Sequence, residues 1–220
     1  MASTEFGRKL SPVLTHRQRV VRGKIASEHI VQLFDVIDSL ATGVATFLSQ
    51  GLAQDGDCLV VARPQNLELI EQELTAAGFD PAALKAGGRF TVLDARTTLG
   101  RFMRGGAPDA ALFESHIGDL VRRLAAGSEG QLHVYGEMVD ILAEEGSFEA
   151  LEELEGLWNE LAATESFTLL CGYASSHFAA PKGGERLRTI CHHHTRVHRN
   201  NEDLLANWLI ETTAAGGSAA

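Results

Sequence analysis

Residues 131–173, QLHVYGEMVDILAEEGSFEALEELEGLWNELAATESFTLLCGY, restrict what this chain can fold into more than any other stretch. They open with an apolar run (Leu132, Val134, Tyr135) that stops at Gly136 and the carboxylate of Glu137, and they close with a second apolar run over 167–173. Between the two, Leu151, Leu154, Trp158 and Leu161 recur at helical spacing, with Glu149, Glu152, Glu153 and Glu160 mostly off that stripe. Strand, crossover helices and strand form a parallel βαβ unit, because a connection this long does not close a hairpin. Glu137 then lies just past a strand end, where open α/β sheets place their ligands.

The rest of the chain repeats the alternation. Residues 29–35 (HIVQLFD) predict a first strand ending at Asp35, and Asp38 or Ser39 is expected to cap the helix that carries Leu40, Val44, Phe47, Leu48 and Leu52. CLVVA at 58–62 is apolar throughout, as a strand buried on both faces must be. Arg63-Pro64 opens a helix with an inward stripe of Leu67, Ile70 and Leu74, and Gly78 suits its end. A short helix over 82–86 and a strand over 89–93, ending at Asp94, follow. A short helix around Leu99, Phe102 and Met103 is expected to break at Gly105-Gly106, and Pro108-Asp109 to open another. Beyond Tyr173, residues 174–184 read as loop, 186–199 as helical, 204–210 (LLANWLI) as a compact apolar helix, and the last residues as disordered.

The expected fold is therefore α/β, three-layered, with a mainly parallel sheet of about five strands flanked by helices. Right-handed crossovers bring all strand C-termini to one edge, which would collect Asp35, Arg63, Asp94, Glu137 and Tyr173. Three acids around one arginine predict a ligand site there; the plainer alternative is a set of solvated loop starts. In the ligand reading Arg63 serves an anionic or polar group, Glu137 and Asp94 accept hydrogen bonds, and Tyr173 and Trp158 supply apolar contact.

Composition narrows the setting. The 220 residues, 45% hydrophobic and 22% charged, suit a globular domain with a full core. A net charge of −10 argues against general nucleic-acid affinity. The exception is a basic arm over 1–28 (Arg8, Lys9, Arg17, Arg19, Arg22, Lys24), which would either touch nucleic acid or an acidic partner or remain a solvated leader. No apolar run approaches a membrane span or a signal sequence, and the three scattered cysteines suit a reducing compartment, so a cytoplasmic location is expected.

Nucleotide motifs are missing. The slots after the first two strands read VIDSLATG and RPQNLELI, without the glycines and lysine of a phosphate loop, and no GxGxxG follows a strand. Glu137 could still be a relic of an acid that once held magnesium or water. No cofactor is expected, although a metal ion is conceivable at the histidine cluster Cys191, His192, His193, His194 and His198. On one helix His194 and His198 would face the same way, with Cys191 or His192 as a further ligand. A metal-binding protein or an enzyme built on that cluster is the rival functional reading; a solvated, pH-sensitive histidine patch is the bland one. His116 and His133 read as packed histidines.

The blocks HIVQLFD, FLSQGLAQDGDCLVVARP, VLDARTTLGRFMRGGAPDAALF and the long segment from GEMV to LLCGY resemble the MEDS domain. This is a sensory domain of methanogen and methylotroph regulators, including a repressor that responds to dichloromethane. The tail ICHHHTRVH is similar to the family's closing I-C-x-x-H-x-x-V, with His194 as the matching histidine. The resemblance implies a RecA/KaiC-like fold without a functional phosphate loop, over 29–199, followed by a C-terminal helix (200–212) and a tail (213–220). It implies a non-catalytic module that binds a small molecule. Family members are commonly fused to a helix-turn-helix, a histidine kinase or an anti-sigma module. No such output segment is legible here, so a separate regulatory partner is expected, and the helix over 204–210 is a candidate docking or dimer surface.

Overall fold

The computed structural model describes residues 27–179 and 181–197. The basic arm, His198 and the helix expected over 204–210 lie outside the described residues.

In chain order the elements are β1 (Glu28–Phe34), α1 (Ile37–Leu52), β2 (Cys58–Ala62), α2 (Pro64–Ala76), α3 (Pro81–Ala86), β3 (Phe90–Asp94) and α4 (Ala95–Phe102). A small hairpin, β4 (Met103–Arg104) and β5 (Ala107–Pro108), comes next. Then follow α5 (Ala110–Phe113), a π-helical turn (Glu114–Gly118), α6 (Asp119–Gly127), β6 (Leu132–Gly136), α7 (Met138–Glu144), α8 (Phe148–Thr164) and β7 (Phe167–Ala174). A 3₁₀ turn (Ser175–Phe178), α9 (Gly183–His193) and a two-residue strand β8 (Arg196–Val197) complete the described chain.

The main sheet has the order β3-β2-β6-β7-β1-β8, and every neighbouring pair in it is parallel. Five full strands and a short edge strand among the described residues match the expected α/β class. Strand alternation divides the interior into two cores. Val31, Leu59, Val61, Val134, Leu169 and Cys171 face α4 to α9, while Ile30, Cys58, Val60, Tyr135 and Leu170 face α1 and α2. All five residues of β2 are buried, as its unbroken apolar run requires.

Several local expectations change. Val36, not Asp38 or Ser39, is the residue before α1, and the Ser39 hydroxyl instead donates to the Val36 carbonyl. Starting the helix at Ile37 packs that side chain against the second core, which outweighs a polar cap. Gly105-Gly106 makes a hairpin turn rather than a simple helix break. Both residues have positive φ (59° and 90°), the backbone a two-residue hairpin loop demands. The expected helix over 186–199 stops at His193. His194 is extended (φ −109°, ψ 144°), and Thr195 docks on β1 through its N–H to the His29 carbonyl (2.6 Å). The Thr195 hydroxyl also accepts from the His29 N–H (3.0 Å). Pairing with the free edge of β1 wins over another helical turn, so His194 lies past the end of α9 and not on it.

Gly43, in α1, packs directly over Gln32 of β1, and a Cβ there would overlap the buried Gln32 amide. In a free helix Gly→Ala gains up to about 1 kcal/mol. Gly43→Ala is expected to lose about 1–3 kcal/mol instead, through overpacking. Urea unfolding checks this; a gain in stability would show that α1 does not press on β1 at this point.

Candidate functional site

The pairing of β2 with β6 sets Val61 opposite Gly136, so the residues that follow these strands, Arg63 and Glu137, are neighbours. Glu137 is 1% exposed and its carboxylate is fully engaged. Oε2 accepts from the Arg63 backbone N–H (2.9 Å), Arg63 Nη1 (3.3 Å) and Asn66 Nδ2 (3.0 Å), and Oε1 accepts from the Tyr135 hydroxyl (3.0 Å). The Arg63 guanidinium also donates to Asp140 Oδ2 (2.8 Å) and Glu144 Oε2 (2.9 Å). Asp140 reaches across the edge, where its Oδ1 accepts from the Ala174 N–H (2.8 Å) and pairs with His177 Nε2 (3.1 Å).

Electrostatics follow from this packing. Burial pushes the Glu137 carboxyl up, against the bonds from Arg63 and Asn66. Burial pushes Asp140 the same way, but the bonds from His177 and Ala174 and the charge of Arg63 prevail and hold it below the usual carboxylate range. Burial likewise opposes the charge of Arg63, yet Asp140 and Glu137 raise its pKa. Arg63 is therefore held by three carboxylates rather than presented to an incoming anion. Sequence reasoning singled out Arg63 and Glu137 and missed Asp140, Glu144, Asn66 and His177. The acids at 137, 140 and 144 have the i, i+3, i+7 spacing of one helix face, and that signal was available.

The other expected ligand contacts are dispersed. Asp35 is exposed at the end of β1 and bonds the Ser175 hydroxyl. Asp94 caps α4, accepting from the Thr97 N–H (2.6 Å), and its carboxyl is lowered by its bonds with Thr97. Trp158 does not line this edge: it is 1% exposed and packs edge-on against Phe113 (5.2 Å between centroids) and beside Phe167. Tyr173 is fully buried, with its hydroxyl on Glu155. A groove of 580 Å³ between α1 and α2, lined by Thr46, Ala53, Glu73 and Phe79 among others, shares no residue with this network.

Glu155 belongs to a second cluster, which sequence reasoning did not assemble. His29 from β1, Cys171 from β7, Glu155 from α8 and His194 after α9 bring their ligand atoms within 4.8 Å of one another. Cys191 is half-buried and not among them, and His198 lies outside the described residues. Burial disfavours the charge on Glu155, but His194 and His29 and the bond from Tyr173 hold its carboxyl down at about 2. Burial lowers His194 to about 4, whereas at His29 the charge of Glu155 overcomes burial and raises the pKa. Burial drives the Cys171 thiol and the Tyr173 phenol well up. The clue in the sequence was Glu155 itself, a carboxylate lying between Leu151, Leu154 and Trp158 on the inward stripe of α8.

The model of the MEDS family, the methanogen/methylotroph DcmR sensory domain, matches residues 28–195. The chain belongs to the MEDS family. No curated protein matches it. Among solved structures it is similar to uncharacterized protein PH0321 from Pyrococcus horikoshii, crystallised in complex with an unknown peptide. That likeness has a TM-score of 0.55 and 15% identity, over 77% of this chain and 76% of that one. It is also similar to the KaiC-like protein PH0186 from Pyrococcus horikoshii OT3, with a TM-score of 0.48 and 16% identity over 73% and 68% of the two chains. These likenesses concern the fold alone, which is α/β. In this MEDS domain only Asp35 and Val36 separate β1 from α1, too short a turn to wrap a phosphate. Membership in a sensory family assigns a sensory or signalling role. Among the described residues no helix is long and apolar enough to cross a membrane.

Asp140→Asn removes one carboxylate from Arg63 and is expected to lower stability near pH 7 by about 2–4 kcal/mol in urea unfolding. The Asp140 carboxyl titrates lower in the folded protein than unfolded. Its contribution is thus complete above the unfolded value near about 3.9 and fades as pH falls through the folded pKa. The gap between wild type and variant should close as pH falls below the usual carboxylate range and through the folded pKa. A gap unchanged at that pH would mean the loss is one of shape, not charge.

Proposed function

We propose that this MEDS domain is a cytoplasmic, non-catalytic sensor that binds a small molecule at the C-terminal edge of its sheet and passes the signal to a separate regulatory partner. The observation that carries this reading is the network around Arg63. One guanidinium ties the start of α2 to Glu137, Asp140 and Glu144, and Asp140 continues to β7 and the turn holding His177. Elements from both halves of the sheet are thus joined by bonds that a polar ligand can exchange.

Carboxylates outnumber cations at this edge, so the favoured ligand is a polar carbon compound offering hydrogen-bond donors or a positive group. An anion would first have to strip Arg63 of its partners. Ligand binding at Asp140 or Glu144 releases part of the Arg63 grip and lets the neighbouring segments move. The β4–β5 hairpin, exposed from Arg104 to Gly106, is a surface through which such a change would reach a transcription regulator, a histidine kinase or an anti-sigma factor. Sensory-family membership supports the role, and the short turn after β1 supports a ligand other than a nucleotide held by a phosphate loop.

Ligand-detected NMR and thermal-shift screening of small polar carbon compounds test the placement. A wild-type binder is expected to lose at least about tenfold in affinity, roughly one charged hydrogen bond, in Arg63→Gln and in the exposed Glu144→Gln. A binder indifferent to substitution of Arg63, Glu137 and Glu144 would move the site elsewhere.

A further inference from the structure

The second cluster is built from elements far apart in the chain and has a feature that hydrogen bonding alone leaves unresolved. His194 Nδ1 lies 2.7 Å from the Ile190 carbonyl, which can only accept, so that nitrogen carries the proton. In the neutral ring, Nε2 therefore presents a lone pair. It is buried without a hydrogen-bond partner, on a side chain 1% exposed, and faces Glu155 Oε1 at 3.5 Å. His29 repeats the arrangement: its Nδ1 is held by Asn159 Oδ1 (2.9 Å) while its Nε2 faces Glu155 Oε2 (3.1 Å) and Cys171 Sγ (3.3 Å). Asn159 is oriented by its Nδ2 on His193 Nδ1 (3.3 Å), which leaves Oδ1 for His29. Two imidazole nitrogens, a carboxylate and a thiol thus converge on one buried point.

We propose that His29, Glu155, Cys171 and His194 bind one divalent transition-metal ion of the zinc type. Tetrahedral bonds of about 2.0–2.3 Å put neighbouring ligand atoms about 3.3–3.8 Å apart. The separations here are 3.1, 3.3 and 3.5 Å, with 4.0 Å from Cys171 Sγ to Glu155 Oε2, so adjustments well under about 1 Å complete those four contacts. Two nitrogens, one sulfur and one oxygen suit a borderline-soft ion and not magnesium or calcium. On binding, the Cys171 S–H proton and the proton that His29 Nε2 holds toward Glu155 leave to solvent as the sulfur–metal and nitrogen–metal bonds form. One thiolate and one carboxylate then neutralise the dication, and the buried site carries no net charge. The outer bonds are those that fix metal ligands elsewhere: both imidazole Nδ1–H groups are held by carbonyl oxygens, and the carboxylate is held by the Tyr173 hydroxyl. This site does not depend on the ligand reading of the Arg63 edge.

The full chain, purified without a histidine tag and stripped with a chelator, is titrated with Zn²⁺ and with Co²⁺. One ion per chain is expected, with the intense visible bands of tetrahedral Co²⁺ and a thiolate-to-cobalt charge-transfer band. Cys171→Ser should abolish the charge-transfer band, and His194→Ala should weaken binding at least about 100-fold. Asn159→Ala, which touches no ligand atom and releases the outer bonds to His29 and His193, should weaken it by about tenfold. His192→Ala combined with His198→Ala should change nothing. Should the ligand variants fail to fold, X-ray absorption on zinc-loaded wild type decides the matter: one sulfur and three nitrogen or oxygen neighbours support the site. Absent stoichiometric binding, an octahedral Co²⁺ spectrum without a thiolate band, or loss of the ion in the His192/His198 variant would each overturn it.

Discussion

The parallel pairing of β6 with β2 on one side and β7 on the other governs the rest of this molecule. It sets Gly136 beside Val61 and beside Cys171, and everything chemically active hangs from those registers. Parallel strands demand long crossovers, so the helices must return across the two faces, and both faces become dry core. Any polar group that enters such a core has to bring partners with it.

Among the described residues three carboxylates are buried, Glu137, Asp140 and Glu155, and the two glutamates are met in different ways. Glu137 sits at the strand edge and takes donors from backbone, amide, phenol and guanidinium. Glu155 lies between sheet and helices, where its surroundings are two imidazoles, a thiol and a phenol. The two assemblies meet through consecutive residues at the end of β7. Tyr173 bonds Glu155 by its hydroxyl, while the Ala174 N–H bonds Asp140 of the Arg63 network. A shift of that strand end is felt in both, which is the kind of mechanical continuity a signalling domain requires.

Much of the architecture was legible because it follows from patterns of nearest neighbours. CLVVA could only be a strand buried on both faces, and the stripe Leu151, Leu154, Trp158, Leu161 could only be an inward helix face. Arg63 and Glu137 could be placed at a common edge because strand ends are visible as the ends of apolar runs. Trp158 shows the limit of that reasoning: read both as part of the inward stripe and as an apolar ligand contact at the edge, it is packed between Phe113 and Phe167. His194 shows it again, since the end of α9 is decided by the free edge of β1, more than 160 residues away in the chain.

By itself, then, the sequence determined the class of fold, the direction of the sheet, the lack of a phosphate loop and the family to which the chain belongs. Periodicity, glycine placement and short motifs are local properties, and those features depend on nothing else. Tertiary structure alone decided which side chains meet. That His29, Glu155, Cys171 and His194 share one point, and that Asp140 and Glu144 join Arg63, depends on strand order and on where helices cross the sheet. Such contacts bridge segments far apart in the chain, whose approach is set by the packing of the whole core and by no pattern within any one segment.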